Sequence, residues 1–384
     1  MKSKKIKIKP SVVVLLSVLA LIVVLATVFS LIASKNPALW EKMQTNMLGK
    51  AVSMVFTWNF FASVVRMTTP ILFAALGAII CKRAGILNMT LEGCMNITAL
   101  AGVLFSGWTR AAIIGTQTAG TIGEEAFASL VTRANTLACI VGVLSAVVIG
   151  VMLELLYALM TVQFRSNFAL TGIAINMMVA GLAPFVCQII VGTKAGTTGW
   201  LTSGSIPNVD IPLIKDIPIL GSIISGHSLL TYFCIICIVL VNLLIYRTRT
   251  GLRIRAVGEN AHAAESVGVN VKKVQFQSIV LTGVFCSFGG VFLSMSYVNF
   301  FVKNMAADRG FIGLSASNLG NGIPIMTTLA AVVFGFFDAL AVNIRTLDLP
   351  TEFVAMLPYL ATLFGLWFYA TNTDRKIKKA RSQR

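Results

Sequence analysis

The chain has 384 residues, 57% of them hydrophobic and 12% charged, which is too apolar for a soluble domain of that length and makes it an integral membrane protein. Its net charge of +17 does not indicate nucleic acid, because the basic residues lie in the tails and in short loops beside apolar spans, where Lys and Arg set orientation. Seven scattered cysteines and two histidines exclude a His-based metal centre or catalytic triad. Cys234 and Cys237 form a CxxC, but inside an apolar segment with no basic neighbour and no second ligand pair, so neither redox nor metal chemistry is expected there.

Lys2 to Lys9 precede an apolar run at 11–32. It is longer than the core of a signal peptide and lacks a clear small-residue cleavage site, so it reads as a retained first helix with its N-terminus inside the cell. A polar external stretch follows at 34–50, with Trp40 as an interface aromatic. Residues 51–81 are apolar over about 45 Å of helix, more than the hydrocarbon requires. Thr68-Thr69-Pro70 interrupts them, which predicts one broken crossing ending inside at Lys82 and Arg83. Arg66, beside that break, either snorkels to the interface or serves a pathway.

Ala84 to Gly93 opens the next span, which runs to about Gly107. Asn88 and Thr90 are placed to cap its start, and Glu92 suits the positive end of its dipole. Asn88, Glu92 and Asn96 also recur every four residues, which lines them along one helix face. The stripe therefore serves either a translocation pathway or capping and packing. Residues 108–133 are polar and assigned outside, and the span at 136–162 returns inward with Glu154 packed or snorkelling near its inner end. Residues 167–191 cross outward, carrying Asn176 as helix–helix glue or ligand contact.

The loop at 192–226 is punctuated by Gly196, Gly199, Pro207, Pro212 and Pro218, which predicts an irregular external lobe. Residues 228–246 cross inward and 274–297 cross back, with Gly283, Gly289 and Gly290 as close-packing positions. His227 and His262 read as solvated. Asn299, Lys303, Asp308 and Arg309 make a short external link, and Asp338 reads as interfacial. The basic tail at 375–384 belongs inside, so the span at 353–369 runs inward and 310–340 must begin and end outside. Asn318 to Pro324 supplies the turn between two short or half helices, because non-helical backbone at membrane depth needs protein or a cavity around it. Such interruptions hold substrate in transporters, so Ser315, Asn318 and Asn321 are a second set of pathway candidates, or else turn and capping residues.

The expected architecture is an all-α polytopic transmembrane helical bundle of one domain, 1–384. It has about ten membrane segments, eight full crossings plus the paired short helices, and cytoplasmic termini. Its longest water-compatible run is 247–273, with Arg247, Arg249, Arg253, Arg255, Lys272 and Lys273 marking it as cytoplasmic. Within it Glu259 to Val267 reads as a short helix stopped by Gly268. A basic loop held to anionic lipid accounts for the charges but not for an Ala-rich helix between glycines.

The string Gly251-Leu252-Arg253, Arg255-Ala256-Val257-Gly258-Glu259-Asn260, Ala263-Ala264-Glu265 and Gly268-Val269-Asn270-Val271 resembles the cytoplasmic loop of permease subunits of bacterial ABC importers. More narrowly it is similar to the simple sugar and nucleoside branch, related to ribose and branched-chain amino-acid permeases. Residues 88–94 resemble that branch's Asn-Ile-Gly-x-Glu-Gly-Gln element, with Thr90 in place of Gly and Cys94 in place of Gln. Asn176 stands at an Asn position of a second element, and Gly310-Phe311-Ile312-Gly313-Leu314-Ser315 is similar to a Gly-Phe-x-Gly-Ile-Ala run.

The resemblance implies a coupling helix that seats in a groove of an ATP-hydrolysing subunit through Gly258, Glu259, Asn260, Ala263, Ala264, Glu265 and Gly268. It implies as further partners a second permease subunit, identical or paralogous, an extracellular substrate-binding protein, for which the 192–226 lobe is either a contact or a mere linkage, and the lipid bilayer of the bacterial cell membrane. No Gly-x-x-x-x-Gly-Lys-Ser/Thr loop occurs in the chain, so ATP and Mg belong to the partner and no cofactor is expected on this chain. The rival readings are a secondary transporter driven by an ion gradient, which needs intramembrane acids or histidines as relays, a membrane scaffold, and a membrane enzyme, which would need a nucleophile, base and orienting group.

Overall fold

The computed structural model describes residues 58–115, 123–211 and 225–344, together with 356. The expected first span, the stretch at 34–50, the span at 353–369 and the basic tail lie outside the described residues. Ten helices carry the described fold: α1 Trp58–Arg83, α2 Leu91–Ile114, α3 Glu124–Ala158, α4 Phe168–Ile190, α5 Leu229–Arg247, α6 Arg249–Glu259, α7 Ala261–Ser266, α8 Val271–Val291, α9 Arg309–Leu319 and α10 Pro324–Ile344. A π-helical turn extends α3 through Leu159–Gln163, and another extends α8 through Phe292–Tyr297. Two two-residue strands, β1 Asn208–Val209 and β2 His227–Ser228, pair antiparallel.

Seven of these helices are long and apolar enough to cross a membrane. The protein is therefore a multi-pass membrane protein. The seven are six of the expected crossings plus α10. α9, with 11 residues, is about 16 Å long and cannot span. The predicted pair of short helices is thus one short helix and one of full length. Polar residues after 108 also prove helical, since α2 runs to Ile114 and α3 begins at Glu124.

α1 is the hub. Its apolar window is 89% buried, against 22–33% for α3, α4 and α5, and α10, α8 and α9 all pack along it. The break expected at Pro70 does not occur. Pro70 sits inside a continuous helix, with the Thr68 and Thr69 hydroxyls donating back to the carbonyls of Val64 (2.7 Å) and Val65 (2.9 Å) and neighbouring helices enclosing the site. A proline is tolerated in a membrane helix when hydroxyls and packing re-satisfy the freed backbone. The outer helices turn Leu144, Met152, Met177, Phe185, Ile189 and Val239 away from the bundle, the composition that lipid tails solvate.

Small residues let the inner helices touch at backbone distance. A Cβ on Gly283 of α8 would stand 3.0 Å from the Gly150 carbonyl of α3, and one on Gly142 would stand 2.8 Å from the Gly102 carbonyl of α2. Gly289 and Gly290 face Pro70, Met95 and Thr98 at similar range, as their reading as packing glycines requires. The lobe after α4 is irregular in its described part. It docks through a Gly196–Val302 bridge and a 2.9 Å bond from the Thr197 N–H to the Phe301 carbonyl. His227, expected to be solvated, is 5% exposed in β2, because strand pairing draws it under the lobe.

Candidate functional site

The ends of the short helix α9 organise two polar regions. Its N-terminus meets the start of α2 inside the bundle. Glu92 accepts the backbone N–H groups of Asp308 (3.0 Å) and Gly310 (2.9 Å), one on each carboxyl oxygen. Asn96, a turn further on, accepts the Ala306 N–H at 3.0 Å and donates to the Glu92 carbonyl at 3.2 Å. Backbone donors at a helix start carry partial positive charge, so a carboxylate belongs there. The segment needs such help because Ala307 (φ 46°) and Asp308 (φ 61°) are left-handed without being glycine. A Cβ on Gly310 would stand 2.5 Å from the Glu92 nitrogen, so only glycine lets the two helix starts meet.

Arg309 points the opposite way and forms a 2.9 Å ion pair with Asp338 of α10, both residues buried. It also reaches the Met67 sulfur at 3.8 Å. Arg309 is thus the buried first residue of α9 rather than part of the loop before it, and Asp338 is buried against it rather than interfacial. A separation of 29 residues between the partners leaves no local sequence signal, and burial then demands the pairing.

Just before α2 the chain is extended, and its polar groups are used internally. Asn88 accepts the Thr90 N–H at 2.9 Å and the Thr90 hydroxyl at 2.6 Å, and donates to Glu154 Oε2 of α3 at 2.8 Å. The Thr90 hydroxyl also makes a short contact with Glu154 Oε1. Thr90 occupies the cap position but makes no side-chain capping bond, and Asn88 bonds to Thr90 rather than to the helix, so the predicted capping roles are corrected. The reason is Glu154, which is fully buried and claims both side chains. Asn176 accepts the Gly93 N–H at 2.8 Å and donates to the Met89 carbonyl at 2.6 Å, tying α4 to the same start.

The C-terminal end of α9 lies at the other region, a basic end of the bundle. Lys82 donates to the Asn318 side chain (3.0 Å) and the Ser317 carbonyl (3.3 Å), at a helix end where the dipole favours a cation. Arg83 donates to the carbonyls of Gly322 (2.8 Å) and Asn321 (3.4 Å). Asn321 is left-handed (φ 53°) and exposed. The turn at 320–323 is therefore held at the end of α1, with Asn321 exposed, rather than enclosed within the bundle as expected. The non-helical backbone within the bundle is instead the stretch before α2 and the one before α9. Ser315 is half-buried between the ends. The two candidate sets, Asn88, Glu92, Asn96 and Asn176 against Ser315, Asn318 and Asn321, are thus separated along α9 rather than gathered in one place.

The same basic end carries α6 and α7. Thr248 caps α6 through the Gly251 N–H (3.0 Å), and Gly251, Ile254 and Val257 face the bundle. Asn260 ends α6 and caps α7 through the Ala263 N–H (3.0 Å), and Gly268 (φ 83°) follows as the stop. The expected helix from Glu259 is corrected to two helices hinged at Asn260, with Glu259 as the last residue of α6, because the Asn side chain captures the next helix start. Ala264 faces inward. Glu259, Asn260, Ala263, Glu265 and Gly268 face out, beside Leu252 (60% exposed) and Val267 (79% exposed). A Cβ on Gly258 would collide with the Arg83 carbonyl, so α6 rides directly on the end of α1.

Arg83 joins these parts. Besides its bonds to the α9–α10 turn it donates to the Tyr246 hydroxyl (3.3 Å), and the Arg255 guanidinium lies 5.5 Å over the Tyr246 ring. Neither Arg83 nor Glu154 stood out in the sequence as a junction. The signal for Glu154 was a lone carboxylate in a long apolar helix; for Arg83 there was none beyond its place at a helix end.

Over 312 residues, 79% of this chain and 90% of the relative, the sequence is 30% identical to the nucleoside ABC transporter permease protein NupC of Lactococcus lactis subsp. cremoris. It is 30% identical over 314 residues, with the same coverage, to the guanosine ABC transporter permease protein NupQ of Bacillus subtilis. At 25% identity over 305 residues, 78% of the chain and 82% of the relative, it is similar to the putative glucose ABC transporter permease protein TsgC13 of Haloferax volcanii. No solved structure matches it. Residues 60–366 match the family described as branched-chain amino acid transport system / permease component, and the chain belongs to that family.

Proposed function

We propose that this chain is the membrane-spanning permease subunit of an ATP-driven importer and that it carries a nucleoside by alternating access. The observation that carries the reading is the exposed α6–α7 hinge seated by Gly258 on the end of α1, in a chain whose relatives are permeases of nucleoside and guanosine ABC transporters. α7, with Glu259, Asn260, Ala263, Glu265 and Gly268, seats in the ATPase subunit, which holds ATP and Mg. A second permease copy or paralogue completes the path, an extracellular binding protein delivers substrate to the lobe after α4, and both termini are cytoplasmic.

Force on α6 moves the end of α1 and Arg83. Arg83 and Lys82 then shift the C-terminal end of α9 and its turn, while Glu92 and Asn96 hold the opposite end as a pivot. Ser315, Asn318 and Asn321 act on the path from the moving part of α9, and Asn88 and Asn176 fix the start of α2. A nucleoside needs donors and acceptors rather than a ring of charge, since each of its polar groups is costly to bury unpaired.

The test is uptake of labelled guanosine into vesicles containing the chain with its ATPase and binding protein. Uptake that requires ATP and ignores a protonophore is expected. Uptake abolished by a protonophore and indifferent to ATP overturns the reading in favour of an ion-driven carrier.

A further inference from the structure

We infer that Glu154 is held in the bundle as a neutral carboxylic acid, whose proton closes a three-membered hydrogen-bonded ring with Thr90 and Asn88. The argument is a count of protons. The Asn88 amide is oriented without ambiguity, because its oxygen takes the Thr90 backbone N–H at 2.9 Å, which leaves its nitrogen to donate to Glu154 Oε2 at 2.8 Å. The Thr90 hydroxyl then lies 2.6 Å from the Asn88 oxygen and in still closer contact with Glu154 Oε1. A hydroxyl carries one proton. Were Glu154 ionised, Thr90 would face two pure acceptors with a single proton, and one of the two contacts would press oxygen on oxygen with nothing between. With Glu154 protonated, Oε1–H donates to Thr90, Thr90 donates to Asn88, and Asn88 donates to Oε2. Every contact then holds one proton.

The surroundings favour the same state. Glu154 is fully buried, and among the described residues no cation reaches it. The titratable groups near enough to sense it are Cys81 from α1, Cys94 from α2, Cys286 from α8 and Tyr157 from its own helix, none of which supplies a positive charge. α8 closes over it so tightly that a Cβ on Gly283 would stand 2.9 Å from the Glu154 Cγ, which leaves little room for water. An unpaired carboxylate in such a setting takes up a proton rather than remain charged.

The ring makes Glu154 a positioning residue. It ties the extended stretch before α2 to α3, and that stretch sets where Glu92 and Asn96 stand to hold α9. The inference does not depend on what the protein carries.

The full chain, reconstituted in lipid nanodiscs, tests it. Glutamine reproduces the neutral acid, with a donor toward Thr90 and an acceptor toward Asn88, so E154Q should melt with the wild type at about pH 4, where Glu154 is largely protonated in the unfolded chain as well. Aspartate is one methylene short, and E154D should melt several degrees lower. Because above about pH 4.3 the native state binds one proton more than the unfolded chain, wild-type stability should fall as pH rises from there, whereas E154Q lacks that slope and should melt above the wild type at neutral pH. The infrared difference between wild type and E154Q at neutral pH should contain the carbonyl stretch of a protonated acid. The proposal is overturned if E154Q fails to accumulate or melts as low as E154D, if E154D is tolerated as well as E154Q, or if the difference spectrum shows carboxylate bands.

Discussion

The two ends of α9 are secured in opposite ways. At its start, a buried carboxylate takes two backbone N–H groups and the adjacent arginine is paired to Asp338, all out of reach of water. At its end, Lys82 and Arg83 hold carbonyls from partly exposed positions beside the hinge of α6 and α7. Inside, breaking a bond leaves an orphaned polar group with no water to replace the partner. At the basic end, water compensates. The start is therefore a fixed anchor and the end a contact that can be made and broken, as the pivot proposed for α9 requires.

Breaking the anchor should cost most. D338A leaves the Arg309 guanidinium buried without its partner, and about 3–5 kcal/mol of stability is expected to go. The double variant R309M/D338L, which removes both charges, should melt closer to the wild type than D338A does. E92A orphans the N–H groups of Asp308 and Gly310 and should cost about 2–6 kcal/mol, at about 1–3 kcal/mol for each unmade buried bond. E92Q should recover little of this, because its amide nitrogen would face a backbone donor. Thermal unfolding of the purified chain measures all four, and an E92A variant that melts with the wild type would dissolve the contrast.

Effects at the other end should be small in stability and large in coupling. G258V forces α6 away from the Arg83 carbonyl and should abolish substrate-stimulated ATPase activity in the reconstituted complex while leaving most of the thermal stability of the isolated chain. R83Q removes the bonds to Gly322 and Tyr246 at a cost of about 1 kcal/mol and should lower stimulated ATPase activity, with the ATPase still co-purifying. V267D alters only an outward side chain. It should leave melting unchanged and weaken co-purification of the ATPase, and retention of full binding would show that α7 is not the docking surface.

Much of the bundle was legible because membrane spans announce themselves. An apolar run of sufficient length has few structures open to it when every backbone group must be bonded internally, and Asn260 and Gly268 carry local signals for capping and termination. Pro70 misled because the rule that proline breaks helices assumes water and free space, whereas here Thr68, Thr69 and tight packing compensate. The asymmetry of α9 and α10 was illegible for another reason: composition reports apolarity, not where along the bundle axis a helix begins. Arg309, Asp338 and Glu154 were misplaced or left ambiguous because their partners come from other helices.

By itself, then, the sequence determined that this is a polytopic helical membrane protein with a basic, helix-bearing loop on one side, since hydropathy, cap chemistry and the distribution of Lys and Arg are local properties. Only the tertiary structure decided that Glu92 grips the start of α9, that Arg309 pairs with Asp338, and that Arg83 links the loop to the α9–α10 turn. Those contacts join residues far apart in the chain, and it is burial of the polar groups, a property of the assembled bundle, that fixes each partner.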